Sequence, residues 1–131
     1  FLHLADTTAA AVIGAGLDSV ALLGTRFTME KEFYRGRLEQ HGFAVIVPDA
    51  ADRTIVHDVI YDELVQGKVV AESRRAYLAI IEKLAAAGAK GVIAGCTEIE
   101  LLVTPDDVSI PYFPTTRLHA LAAVDAALQS G

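Results

Sequence analysis

Apolar residues run along this chain in two rhythms. Short, nearly continuous runs at Ser19-Val-Ala-Leu-Leu-Gly24, Phe43-Ala-Val-Ile-Val47, Gly91-Val-Ile-Ala-Gly95 and Ile110-Pro-Tyr-Phe113 read as strands. Strands that are apolar on both sides belong to a parallel sheet covered on both faces. Between them, apolar positions three and four apart predict helices at about Thr7 to Gly14, Thr28 to Gln40, Asp52 to Gln66, Ser73 to Ala87 and Thr115 to Leu128. Thr28 is the expected N-cap of the second helix and Gly42 its stop, and Gly88 ends the fourth. Val56, Val59, Ile60 and Leu64, like Tyr77, Ile80, Ile81 and Leu84, repeat at helical spacing and are assigned to the core. The alternation predicts an α/β fold: an open, mainly parallel sheet in three layers with right-handed crossovers.

A length of 131 residues suits one domain with a real core. There is no internal repeat, low-complexity tract or linker. The chain starts inside the apolar run Phe1-Leu2-His3-Leu4, without the basic region or small-residue cleavage site of a signal peptide, and reads as a cut through something longer. A hydrophobic content of 53% raises the question of a membrane. The longest apolar stretch, Ala9 to Leu17, ends at Asp18 after roughly half a span, so a soluble, cytoplasmic protein is expected. With 11 Lys and Arg scattered among 17 acids and a net charge of -6, no phosphate-binding patch forms, which argues against nucleic acid. One cysteine excludes an internal disulfide, and His3, His41, His57 and His119 are too dispersed for a zinc site.

In open parallel sheets ligands collect beyond the carboxyl ends of the strands, so the residues just after each strand carry the candidate chemistry. Two such places stand out, Leu23-Gly24-Thr25-Arg26-Phe27-Thr28-Met29 and Gly95-Cys96-Thr97-Glu98-Ile99-Glu100. Thr97-x-x-Glu100 has capping-box spacing, which would place Cys96 at the positive end of a short helix. Amides oriented there favour thiolate and lower a thiol pKa from about 8.5 toward neutrality, as a group that takes and gives a proton requires. Position alone is equally compatible with an inert core cysteine. Thr25 and Thr28 could bind a carboxylate at a helix start or simply cap the helix. Lys68, after Gly67, could hold a carboxylate or offset a helix dipole. Glu98 would raise the pKa of an adjacent thiol unless directed elsewhere. His57 and His119 lie within helices and read as structural.

Gly95-Cys96-Thr97-Glu98 resembles the second cysteine motif of aspartate racemases in the aspartate/glutamate racemase superfamily; glutamate racemases usually carry His where this chain has Glu98. The resemblance extends, in family order, through Leu2-His3-Leu4-Ala5-Asp6, Leu23-Gly24-Thr25-Arg26-Phe27-Thr28-Met29, Ile60-Tyr61-Asp62-Glu63-Leu64, Glu72-Ser73 and Thr115-Thr116-Arg117-Leu118-His119-Ala120. It covers essentially the whole chain. It implies one of two pseudo-symmetric racemase domains around a cleft, with no pyridoxal phosphate or metal cofactor. Two thiols would work on opposite faces of the substrate α-carbon. By this resemblance Cys96 is one of them, Thr97 a carboxylate ligand beside it, and Thr25, Thr28, Lys68 and Glu98 further members of the substrate pocket.

The resemblance also implies that residues 1–131 are the C-terminal part of such a protein. Residues 17–114 would be the α/β domain, and 115–131 a terminal helix that packs on a missing N-terminal domain. The family's first cysteine lies in a Cys-Asn-Thr-like segment upstream, and this chain has no second cysteine. Half of the acid/base pair is therefore absent, and the chain alone is expected to be weak or inactive. Pro114 stands where an acid is more usual. The expected ligand is an acidic amino acid, and homodimer formation is left open. The competing readings are other cysteine-dependent superfamily members, such as maleate isomerase, hydantoin racemase or arylmalonate decarboxylase, and a non-catalytic α/β binding module.

Overall fold

Four parallel strands, β1 (Ser19–Leu23), β2 (Ala44–Ile46), β3 (Val92–Ala94) and β4 (Tyr112–Pro114), form one sheet in the order β2-β1-β3-β4. The structure is a computed structural model and describes residues 4–130. Helices α1 (Leu4–Gly14), α2 (Arg26–Glu30), α3 (Glu32–Glu39), α4 (Ala50–Asp62), α5 (Ala71–Ala86), α6 (Ile99–Leu102) and α7 (Thr115–Ser130) surround it. Single 3₁₀ turns lie at Leu64–Gln66 and Pro105–Asp107. Among the described residues no helix is long and apolar enough to cross a membrane.

Successive strand residues face opposite sides, and two cores result. Ala21, Leu23, Val92 and Ala94 pack with Val56, Ile60, Tyr77, Ile81 and Leu84 of α4 and α5. Val20, Leu22, Ile93 and Phe113 pack with Ala5, Ala9 and Val12 of α1 and Tyr34 and Leu38 of α3. The sheet is thus covered on both faces, as the continuous apolar strands predict.

The segment expected as one helix from Thr28 to Gln40 is two helices broken at Lys31, whose backbone is extended (φ -92°, ψ 145°). The two cores explain the break. Met29 belongs to one, and Tyr34 and Leu38 to the other. At about 100° per residue, one straight helix would leave Tyr34 about 140° and Leu38 about 180° from Met29, on a single rod that cannot reach both sides of the sheet. The N-cap is Thr25 rather than Thr28: the Thr25 hydroxyl accepts from the Thr28 amide at 3.4 Å. Gly42 and Gly88 end α3 and α5 as expected, both at positive φ. α4 starts at Ala50, capped by Asp49, which accepts from the Asp52 amide at 2.9 Å.

The terminal helix α7 packs on α1. His119 Nδ1 lies 3.4 Å from the Thr7 hydroxyl, and Tyr34 of α3 donates to the buried Thr8 hydroxyl at 3.4 Å. His3 and the start of the Leu2-His3-Leu4-Ala5-Asp6 segment lie outside the described residues.

Candidate active site

Leu23, Ala94 and Pro114 are register partners across β1, β3 and β4. Because the strands are parallel, the chain leaves all three at one edge, by way of Gly24-Thr25, Gly95-Cys96 and Thr115-Thr116. Cys96 leaves the middle one. The Gly95 amide donates to the Leu23 carbonyl at 2.7 Å, which continues the β1–β3 ladder one residue past the strand. The chain then turns, with Ile99 donating to the Cys96 carbonyl and Glu100 to that of Thr97.

Thr28 lies over both glycines. A Cβ on Gly24 would come 3.0 Å from its Cβ and Cγ2, and one on Gly95 would come 3.2 Å from its Cγ2. Its hydroxyl is 3.3 Å from that of Thr25. Thr25, Thr28 and Thr97 therefore share the edge that carries Cys96. Lys68 is exposed, just after Gly67 (φ 81°), and has no hydrogen bond to this group. Its loop begins at the 3₁₀ turn Leu64–Gln66, which packs against α6.

The local geometry departs from the expectation at Thr97. Thr97 does not cap a helix. α6 opens at Ile99 with Glu98 as a helical, non-bonding N-cap, and Thr97 instead donates to the Thr116 hydroxyl at 2.9 Å. The capping box in this region belongs to Thr104 and Asp107. Glu98, expected in the substrate pocket, accepts the half-buried Cys96 thiol at its Oε2 at 2.7 Å.

The thiol is raised rather than lowered. Burial first, and the Glu98 carboxylate second, push Cys96 up to about 11, although the amides of Glu98 and Ile99 pull it down. The helix-start amides are present and are outweighed. Tyr77, raised mainly by burial, senses the charge of Cys96 from the α5 side, while its hydroxyl donates to the Val56 carbonyl at 2.6 Å. Replacing the carboxylate in Glu98→Gln is expected to lower the Cys96 pKa, so alkylation at pH 8 should speed up about tenfold for each pH unit by which the titration midpoint falls. A pH profile of iodoacetamide labelling tests this, and an unmoved midpoint would contradict it.

Sequence reasoning gave no role to Thr115 and Thr116. Thr115 is fully buried and donates to the Ala94 carbonyl at 3.1 Å. His57, read as structural, accepts the Arg26 amide at Nδ1 (2.9 Å) and steadies the start of α2. Among the described residues no three His, Cys, Asp or Glu side chains gather as a metal-ligand set. A concavity of about 450 Å³ lies along α3, lined by Glu32, Phe33, Gly36, Arg37 and Gln40.

The family model for Asp/Glu/Hydantoin racemase matches residues 1–123. A Yersinia pestis protein of the Asp/Glu racemase type is 53% identical and superposes with a TM-score of 0.94 over 97% of this chain and 56% of its own. An aspartate racemase homologue from Pyrococcus horikoshii OT3 is 31% identical, with a TM-score of 0.90 over 96% of this chain and 55% of its own. Picrophilus torridus aspartate racemase, at 22% identity and a TM-score of 0.68, shares the fold over 88% of this chain and 47% of its own. This chain spans about half the length of these solved relatives. A family match over nearly the whole chain and one edge carrying Cys96 with its threonines lead to one conclusion: the chain belongs to the Asp/Glu/Hydantoin racemase family.

Proposed function

We propose that this chain supplies one acid/base thiol, Cys96, of a cofactor-independent racemase acting on aspartate or glutamate. The observation that carries this reading is the half-buried thiol hydrogen-bonded to Glu98 at the exit of a central strand, with hydroxyls on either side. At neutral pH a thiol near 11 is protonated and can deliver a proton to one face of an α-carbanion. The thiolate it leaves stands beside a carboxylate and is a strong base, suited to removing the α-proton in the reverse direction. The C–H electron pair becomes the carbanion as the proton moves to sulfur. Thr25, Thr28, Thr97 and Lys68 would hold the substrate carboxylates.

The opposite face needs a second acid/base group, which this reading assigns to a further domain of the kind the longer relatives have room for. Phe27, Val65, Val69 and Leu101, at least half exposed on segments around the Cys96 turn, support a partner surface there.

Protection of Cys96 from iodoacetamide tests the substrate class. Aspartate or glutamate should slow labelling saturably, more than maleate or a hydantoin does. Protection by maleate or hydantoin alone, or by none of the four, would overturn the reading.

A further inference from the structure

We infer that Thr115 and Thr116, the first two residues of α7, are positioning residues that clamp the Cys96 turn from both sides. The inference rests on the reading of Cys96 as the acid/base group. Thr115 holds the Ala94 carbonyl, two residues before the cysteine, and Thr116 holds the Thr97 hydroxyl, one residue after it. Cys96 lies between the two anchor points.

Both anchors come from consecutive residues of one 16-residue helix, so they move together. The helix is itself held from behind. His119, one turn on, meets Thr7 of α1, and the neighbouring Thr8 accepts from Tyr34 of α3. Thr8 and Thr115 are fully buried. A buried hydroxyl is tolerated only where its hydrogen bonds are made, so this chain of contacts specifies one placement of α7 and of the turn it grips.

The turn's conformation in turn decides how Cys96 is divided between its neighbours. The Glu98 carboxylate raises it, the amides of Glu98 and Ile99 lower it, and the core cluster that includes Tyr77 of α5 packs against it. Thr97 spends its proton on Thr116, so the one proton left in this pair of hydroxyls is that of Thr116. Thr116 thereby fixes the direction in which Thr97 can be used.

The experiment is the pH profile of Cys96 alkylation by iodoacetamide in the 131-residue chain. Thr116 is exposed, so Thr116→Val should fold. It is expected to shift the midpoint and change the rate at pH 8 by about threefold to tenfold, the range of one lost hydrogen bond. Thr116→Ser, which keeps the oxygen, should match the parent. Thr97→Val combined with Thr116→Val should do no more than either alone, because the two share one interaction. Thr115→Val, if folded, should act in the same direction, and Thr115→Ser should restore the parent profile.

A Thr116→Val profile identical to the parent, or a Thr116→Ser profile equal to that of Thr116→Val, would overturn the clamp. A purely structural role would lower the melting temperature and leave the midpoint in place. Labelling involves no substrate. Loss of aspartate and glutamate protection with shifted midpoints therefore removes only the substrate reading, and intact protection with unmoved midpoints removes only the clamp.

Discussion

Gly95→Ala is expected to cost about 1–3 kcal/mol of stability, as overpacking does, and to displace Cys96. The reason is space rather than backbone conformation, since Gly95 is not among the positive-φ glycines. A Cβ there would sit 2.9 Å from the Leu23 carbonyl oxygen and 3.2 Å from Thr28 Cγ2. The first is backbone, and it is the atom that accepts the Gly95 amide at 2.7 Å. It cannot swing aside without opening β1 from β3. The strain falls on the residue before the thiol, so the labelling rate of Cys96 should change together with the melting temperature. Gly14→Ala is the control: its Cβ meets nothing within 4 Å at the end of α1, and the change should be neutral or stabilising by about 0.5–1 kcal/mol. Thermal unfolding of both variants checks the pair. Equal melting temperatures would show that Gly95 is not held between the strands as described.

Racemisation by these 131 residues alone is expected near or below detection. Inversion requires a proton taken from one face of the α-carbon and returned to the other, and the chain has one cysteine. Each acid or base is worth about 10²- to 10⁴-fold, and a single half of a cleft gives up part of the positioning and water exclusion that a closed cleft provides. Weak α-proton exchange without inversion is the activity expected to remain. Chiral chromatography of L-aspartate and L-glutamate after long incubation checks this. Accumulation of the D enantiomer at a rate typical of a racemase would contradict it.

Much of the fold was legible because periodicity reports burial. The apolar runs ending at Gly24 and Gly95 identified the two central strands, and the rule that ligands gather at strand ends pointed to Cys96 and Thr25. The break at Lys31 was not legible, since a pattern along one segment does not say that Met29 and Tyr34 serve opposite faces of the sheet. Thr97-x-x-Glu100 and Thr104-x-x-Asp107 have similar spelling, yet only the second forms a capping box. The Thr97 hydroxyl is taken by Thr116, 19 residues later, and no local signal announces that partner. The direction of Glu98 was hidden in the same way. Composition says that a carboxylate is near the thiol, and only a side-chain rotamer says that it accepts the thiol's proton.

The most direct test of Cys96 as the acid/base group is α-proton exchange in deuterated water, followed by NMR with L-aspartate and L-glutamate, for the chain and its Cys96→Ser variant. The parent chain is expected to lose the α-proton signal slowly with no matching gain of the D enantiomer, and Cys96→Ser to fall to the protein-free rate. Exchange or inversion that survives Cys96→Ser undiminished would show that this thiol does not carry the reaction.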